Sequence, residues 1–144
     1  MKISTKGKYG LRALVYLAIH SSNELIPLSV IAEGENISLN YLEQIFSSLR
    51  KAGIVTSVKG PQGGYYLSSK SCDIKVIDII RILEGEYSFT DDKDSENLSQ
   101  RAINNLLWNK VDQKVEEILS NTTLEDLVNE YNRLKPVISK MYYI

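Results

Sequence analysis

The sequence predicts a mainly α fold: a winged helix-turn-helix with a long helix C-terminal to it. Three observations predict it. Apolar residues recur at helical spacing in three stretches before Gly53, and only Asn36-Ile37-Ser38 separates the second stretch from the third. The segment VKGPQGGYYLS, residues 58–68, sets a proline and three glycines between two β-like runs. Beyond an acidic stretch, an apolar stripe follows residues 96–119.

Each element has its own signal. Leu11, Leu14, Val15 and Ala18 place one apolar face on a first helix over Lys8–Ser21. Asn23–Pro27 is a loop, and Leu28, Ile31 and Ala32 mark a short second helix that breaks near Gly34. Ser38 is a good N-cap for a third helix with Leu42, Ile45, Phe46 and Leu49 inside and Gly53 at its end. Ile54–Val58 and Tyr65–Ser68 form a hairpin. A fourth helix runs from about Lys75 to Glu84, with Val76, Ile79, Ile80 and Leu83 on one face and Gly85 at its end. Tyr87–Asn97 is acidic and polar and is expected to be an exposed loop. The long helix over about 96–119 would extend roughly 36 Å. Its stripe of Ile103, Leu107, Val111, Val115 and Ile118 needs something to cover it. A last helix opens with a Thr123/Asp126 capping box, buries Leu124, Leu127, Val128 and Tyr131, and is expected to break at Pro136. Residues 1–85 are thus expected to form the winged helix-turn-helix, and 86–144 the acidic loop, long helix, capping helix and tail.

Composition narrows the function. Residues 1–70 carry eight Lys/Arg against four Asp/Glu, and residues 71–144 carry nine against fourteen. A basic N-terminal half points to a polyanionic partner. No apolar run reaches the roughly 18 residues of a membrane helix. The start, MKISTKGKYG, has no signal-peptide core, and the single cysteine, Cys72, cannot form an internal disulfide. Together these predict a cytoplasmic protein with no membrane partner. An enzyme is not expected: His20 is the only histidine and has no carboxylate pair, nucleophile or metal spacing to accompany it. Asp91, Asp92 and Asp94 lack the Gly and Glu register of a calcium loop and read as a solvated charge run.

The glycine-rich link does not cradle phosphates. It leads into a strand, with no Lys-Ser/Thr and no helix N-terminus after it. As the wing of a helix-turn-helix it would lie beside a duplex whose major groove takes the third helix. Burying Leu42, Ile45, Phe46 and Leu49 leaves Asn40, Tyr41, Glu43, Gln44 and Ser48 outside, side chains able to bond base edges. The wing glycines let the backbone approach, and Lys59 reaches a phosphate or the minor groove. Lys2, Lys6, Lys8 and Lys51 would add phosphate contacts. The alternative is a winged helix that binds only protein; it predicts no salt-sensitive binding to duplex DNA.

The stretches MKISTKGKYGLRALVYLA, ISLNYLEQIFSSLRKAGIVTSVKGPQGGYYL, IDIIRILEG and TTLEDLV resemble the Rrf2 family of bacterial transcription regulators over nearly the whole chain. The resemblance implies a homodimeric winged-helix repressor of a pseudo-palindromic operator, with the long C-terminal helix serving as a dimerisation helix that crosses to the partner. It places DNA contacts on Ser38, Asn40, Tyr41, Glu43 and Gln44 of the recognition helix and on Lys59 and Gly60 of the wing. Cluster-binding members carry three cysteines before the long helix. Asp91, Asp92, Lys93, Asp94 and Ser95 stand there in this chain, and Asn105 stands where such members have a histidine. No iron–sulfur cluster or other metal cofactor is therefore expected. TTLEDL and the aromatic tail are similar to members that control cysteine metabolism. That similarity implies cysteine synthase as co-repressor, with Met141, Tyr142, Tyr143 and Ile144 docking into it through the free α-carboxylate. The alternative is that this apolar tail packs on its own dimer.

Overall fold

The computed structural model describes residues 2–20, 24–90 and 95–142, with side chains as far as Val137. Helix α1 spans Thr5–His20. It starts three residues before the spacing of its apolar residues indicates, because its first turn is held from outside. Glu84, the last residue of α4 (Val76–Glu84), takes three donors on Oε1. They are the Ser4 N–H at 2.9 Å, the Ser4 hydroxyl at 2.7 Å and the Gly7 N–H at 2.9 Å. A carboxylate there satisfies orphan N–H groups and complements the helix dipole. The first turn of α1 has no acidic residue of its own.

Helix α2 spans Leu28–Glu35 and ends, as expected, close to Gly34. Gly34 sits against the Tyr16 ring, where a Cβ would come within 2.5 Å of Cε2. The stop comes at Asn36, in the left-handed region at φ 53°, ψ 50°. Helix α3 spans Leu39–Lys51, and strands β1 (Val55–Val58) and β2 (Gly64–Leu67) pair antiparallel with Val58 opposite Gly64. Ile26 exchanges two backbone bonds with Tyr65, at 3.0 and 2.9 Å, and so flanks the hairpin. Gly64 permits this, since a Cβ there would lie 2.6 Å from the Ile26 carbonyl carbon.

Leu14, Leu17, Ile31, Leu42, Ile45, Phe46, Leu49, Ile79 and Leu124 are fully buried in one core. Each such side chain is worth about 1.5–3 kcal/mol relative to exposure. Phe46 meets Tyr65 edge-on at 5.0 Å, which ties the hairpin to α3.

The long helix begins at Leu98 and ends at Asn121. It comprises α5 (Leu98–Ile103), a π-helical turn over Asn104–Trp108, and α6 (Asn109–Asn121). Helix α7 spans Leu124–Tyr142. Its capping box forms as expected: the Thr123 N–H donates to Asp126 Oδ2 at 2.9 Å, and the Asp126 N–H to Thr123 Oγ1 at 3.1 Å. Leu124 is buried, Leu127 and Val128 are half-buried, and Tyr131, expected inside, is exposed. Pro136 does not break α7, which continues through it. Proline removes one helical donor and crowds the carbonyl four residues back, and both sites lie here on an exposed stretch that water can serve.

The expectation of an exposed loop after α4 is corrected at its start, because Thr90 is buried. Asp112 of α6 holds this segment. Its carboxylate accepts from the Phe89 N–H at 2.6 Å and the Ser88 hydroxyl at 2.6 Å, and Thr90 Oγ1 lies 3.0 Å away. Asp91, Asp92, Lys93 and Asp94 lie outside the described residues. Burial works to raise the Asp112 pKa, but the bonds from Phe89, Ser88 and Thr90 outweigh it and hold the carboxyl below its ordinary value. A depressed folded pKa adds stability that is complete above the unfolded value of about 3.9 and is lost as pH falls through the folded value. Asp112→Asn should therefore lower stability by about 1–2 kcal/mol at pH 7 and by less at acid pH. Denaturant titrations at pH 7 and near pH 3 check this; an equal loss at both would remove Asp112 as the anchor.

Candidate nucleic-acid interface

The outer face of α3 is built from Asn40, Glu43, Gln44 and Ser47, at i, i+3, i+4 and i+7, which line one shallow polar depression. The opposite face is the core stripe, so packing alone turns these side chains outward. Asn40, Glu43 and Gln44 are exposed, as the sequence predicts. Ser47 was not among the expected residues, although its position seven after Asn40 marks it. Ser48, which was expected, is half-buried on the flank and its hydroxyl donates to the Gln44 carbonyl at 3.4 Å.

Two other expected residues already have partners within the protein. Ser38 caps α3, its Oγ accepting from the Tyr41 N–H at 3.4 Å. Tyr41 is half-buried, with its hydroxyl 3.0 Å from Thr5 Oγ1 and its ring edge-on to Tyr9 at 5.9 Å. That contact sets the start of α1, with Lys2, Lys6 and Lys8, alongside the first turn of α3. Lys2, Lys8 and Lys51 are exposed and Lys6 is half-buried.

The wing supplies the second part. Lys59 and Gly60 are exposed at its tip, and Gly60 takes φ 113°, where a side chain would be strained. A recess between wing and α3 is lined by Lys59, Gly60, Ser57 and Arg50. Arg50 was missed by sequence reasoning, although a cation in the last turn of a recognition helix is a legible signal.

On the long helix, Ile103, Leu107 and Ile118 are exposed and Val111 and Val115 half-buried. Leu98, 78% exposed, and Leu106, 72% exposed, are further exposed apolar side chains of this helix and were not expected. The π turn adds to the residues per turn and so displaces the surface from strict α spacing.

Metal ligation finds little to work with. Cys72 is exposed on the single turn Ser71–Asp73 and is the chain's only cysteine. Asn104 is buried and accepts from Gln100 Nε2 at 3.0 Å, and Asn105 is exposed. Among the described residues no three His, Cys, Asp or Glu come together to hold a metal. One thiol and neighbouring amides do not fit an iron–sulfur cluster, which takes several thiolates. Among the described residues, too, no helix is long and apolar enough to cross a membrane.

A polar helix face beside a hairpin with Lys59 at its tip, presented by one helical core, defines a winged-helix DNA-binding transcriptional regulator rather than an enzyme. The chain belongs to the Rrf2 family, whose model, described as an iron-dependent transcriptional regulator, matches residues 3–130. It is 43% identical to the HTH-type transcriptional regulator CymR of Bacillus subtilis over 90% of this chain and 91% of that protein. It is 37% identical to the regulator IscR of Pectobacterium atrosepticum over 90% of this chain and 80% of that one. The structure of CymR, the global cysteine regulator of B. subtilis, superposes with a TM-score of 0.80 at 42% identity, covering 90% of this chain and 98% of CymR.

The cap of the recognition helix gives a stability test. Ser38→Ala should lower stability by about 1 kcal/mol, and Ser38→Gly by a few tenths. Urea midpoints of the two variants check it; equal losses would show that the side-chain cap does not hold α3.

Proposed function

We propose that this chain is a cytoplasmic, homodimeric, cluster-free repressor of genes of cysteine or sulfur metabolism. It reads a pseudo-palindromic operator and takes cysteine synthase as co-repressor. The observation that carries the DNA reading is the exposed Asn40, Glu43 and Gln44 face beside the Lys59–Gly60 wing. Asn40 and Gln44 suit adenine and Glu43 suits cytosine N4. Lys2, Lys6, Lys8, Lys51 and Lys59 suit phosphates, while Ser38, Tyr41 and Ser48 lie at the rim of this surface.

Residues 1–85 act as the reading head, and residues 86–144 as the dimerisation and partner-binding part. The exposed apolar surface of Leu98, Ile103, Leu106, Leu107 and Ile118 supports a dimer in which the long helix crosses to the partner. The single cysteine supports a regulator without a cluster. The likeness to CymR supports cysteine metabolism as the regulated process. Met141 and Tyr142 end α7; their side chains, like Tyr143 and Ile144, lie outside the described residues. Their proposed docking into cysteine synthase rests on the sequence of the tail.

The test is selection from random duplex DNA, with and without cysteine synthase. A two-fold-symmetric site with half-sites about 34 Å apart is expected. Eight phosphate contacts per dimer would give a log–log salt slope near −7, and Lys59→Ala should reduce its magnitude by about 2. No enrichment in either tube would overturn the DNA reading. Cysteine synthase should bind the chain less tightly once Ile144 is deleted; equal affinities would remove the tail as its anchor.

A further inference from the structure

A second face of α1 carries Thr5, Tyr9, Arg12 and Tyr16, at i, i+4, i+7 and i+11. All four engage the helix-turn-helix or one another. Thr5 Oγ1 lies 3.0 Å from the Tyr41 hydroxyl in the first turn of α3. The Tyr9 ring meets the Tyr41 ring edge-on, with centroids 5.9 Å apart and planes at 81°. Arg12 stands 5.3 Å from the Tyr9 ring centre, and its Nε donates to Glu35 Oε1 at 3.2 Å while its Nη2 donates to the Glu35 carbonyl. The Tyr16 ring packs on Gly34. Glu35 is the last residue of α2, so α1 grips the chain on both sides of the turn Asn36–Ser38. None of these contacts uses the outer face of α3.

We propose that the Thr5–Tyr41 hydroxyl pair is a positioning device: it fixes the rotation of α3 about its own axis and so sets sequence discrimination. The inference rests on the DNA reading above. Leu42, Ile45, Phe46 and Leu49 hold α3 against the core along one stripe, and a restraint off that stripe limits the small rolls that it leaves. Tyr41 lies off that stripe and acts as a lever. With side chains reaching about 5–6 Å from the axis, a roll of about 20° moves them by about 2 Å. That exceeds the tolerance of a hydrogen bond to a base edge, which keeps its heavy atoms about 2.7–3.2 Å apart. Long lysines on phosphates absorb such a shift. Loss of the pair therefore removes specificity and spares non-specific binding.

The test uses the full chain with Thr5→Val, Tyr41→Phe and both together, each keeping close to the native shape. Affinity is measured against the selected operator and against a scrambled duplex across a salt series, with thermal melting alongside. Each single variant should bind the operator about fivefold more weakly, the worth of one hydrogen bond. Scrambled binding and the salt slope should stay unchanged, and the double variant should be no worse than either single one, since the two hydroxyls act as a unit. Loss in Tyr41→Phe alone would mean that Tyr41 touches the DNA itself, and would overturn the proposal. So would unchanged operator binding in all variants, or parallel losses on both duplexes with a lower melting temperature. A wild-type chain with no salt-sensitive duplex binding would instead sink the DNA reading, a result distinct from each of these.

Discussion

The arrangement depends on the approach of α4 to α1. Two glycines on one face of α1 make room for it. A Cβ on Gly10 would sit 2.2 Å from Leu83 Cδ1, and a Cβ on Gly7 would sit 2.5 Å from Glu84 Oε1. Because both positions are bare, Leu83 buries itself against α1 and Glu84 reaches the N–H groups at its start. Either side chain would separate the helices or force the carboxylate off its donors, so the packing and the cap stand or fall together. The turn that makes these contacts also carries Thr5 and Tyr9, which hold the first turn of α3. The position of α3 thus depends on the contact of α1 with α4, and Gly10 lies beside Ile45 of α3 as well as Leu83 of α4.

Spacing made the helices legible. An apolar stripe is a local property of the chain, and the core follows it closely from Leu14 to Leu83. Asn40, Glu43, Gln44 and the wing glycines were legible because they are what the stripe and the hairpin leave outside. The inward turn of Tyr41 was not: tyrosine suits either side of a helix, and Thr5, which decides the matter, lies 36 residues away. The Asp112 tether failed for the same reason. DDKDSEN looks like solvent-exposed chain, yet the preceding Ser88–Thr90 find a carboxylate more than twenty residues later. Pro136 misled differently. Its penalty is real, but an exposed stretch bears it at low cost and a helix can run on. The π turn had no signal at all, whereas Leu106, three residues after Ile103, was legible from helical spacing and was missed.

Helix α4 also faces the long helix. Arg81 donates to Glu116 Oε1 at 3.2 Å, an exposed pair worth well under about 1 kcal/mol. Asp112, one turn earlier on α6, holds the chain that leaves α4, and Phe89 stacks on Trp108 with centroids 6.1 Å apart. The tether therefore does what the surface ion pair cannot: it fixes where the long helix departs from α4. Three donors on one carboxylate are directional, and a stacked ring on the neighbouring turn restricts roll about them.

These contacts form a short mechanical series from α6 through Ser88–Thr90 and Glu84 to the start of α1 and then Tyr41. A series of contacts is not yet a signal, because a ligand or partner shifts an equilibrium only by its differential affinity for two states. What the geometry does specify is where such a difference would have to act. A rotation of the long helix transmitted through α4 would reach α1 through the Glu84 cap and α3 through the core that Ile79 and Leu83 share with Leu42 and Ile45. A movement of the long helix therefore has two routes to α3, the shared core and the cap on the start of α1. Of the two, the cap is the one built from directional bonds, so it is the more sensitive to a change in the angle between α4 and α1.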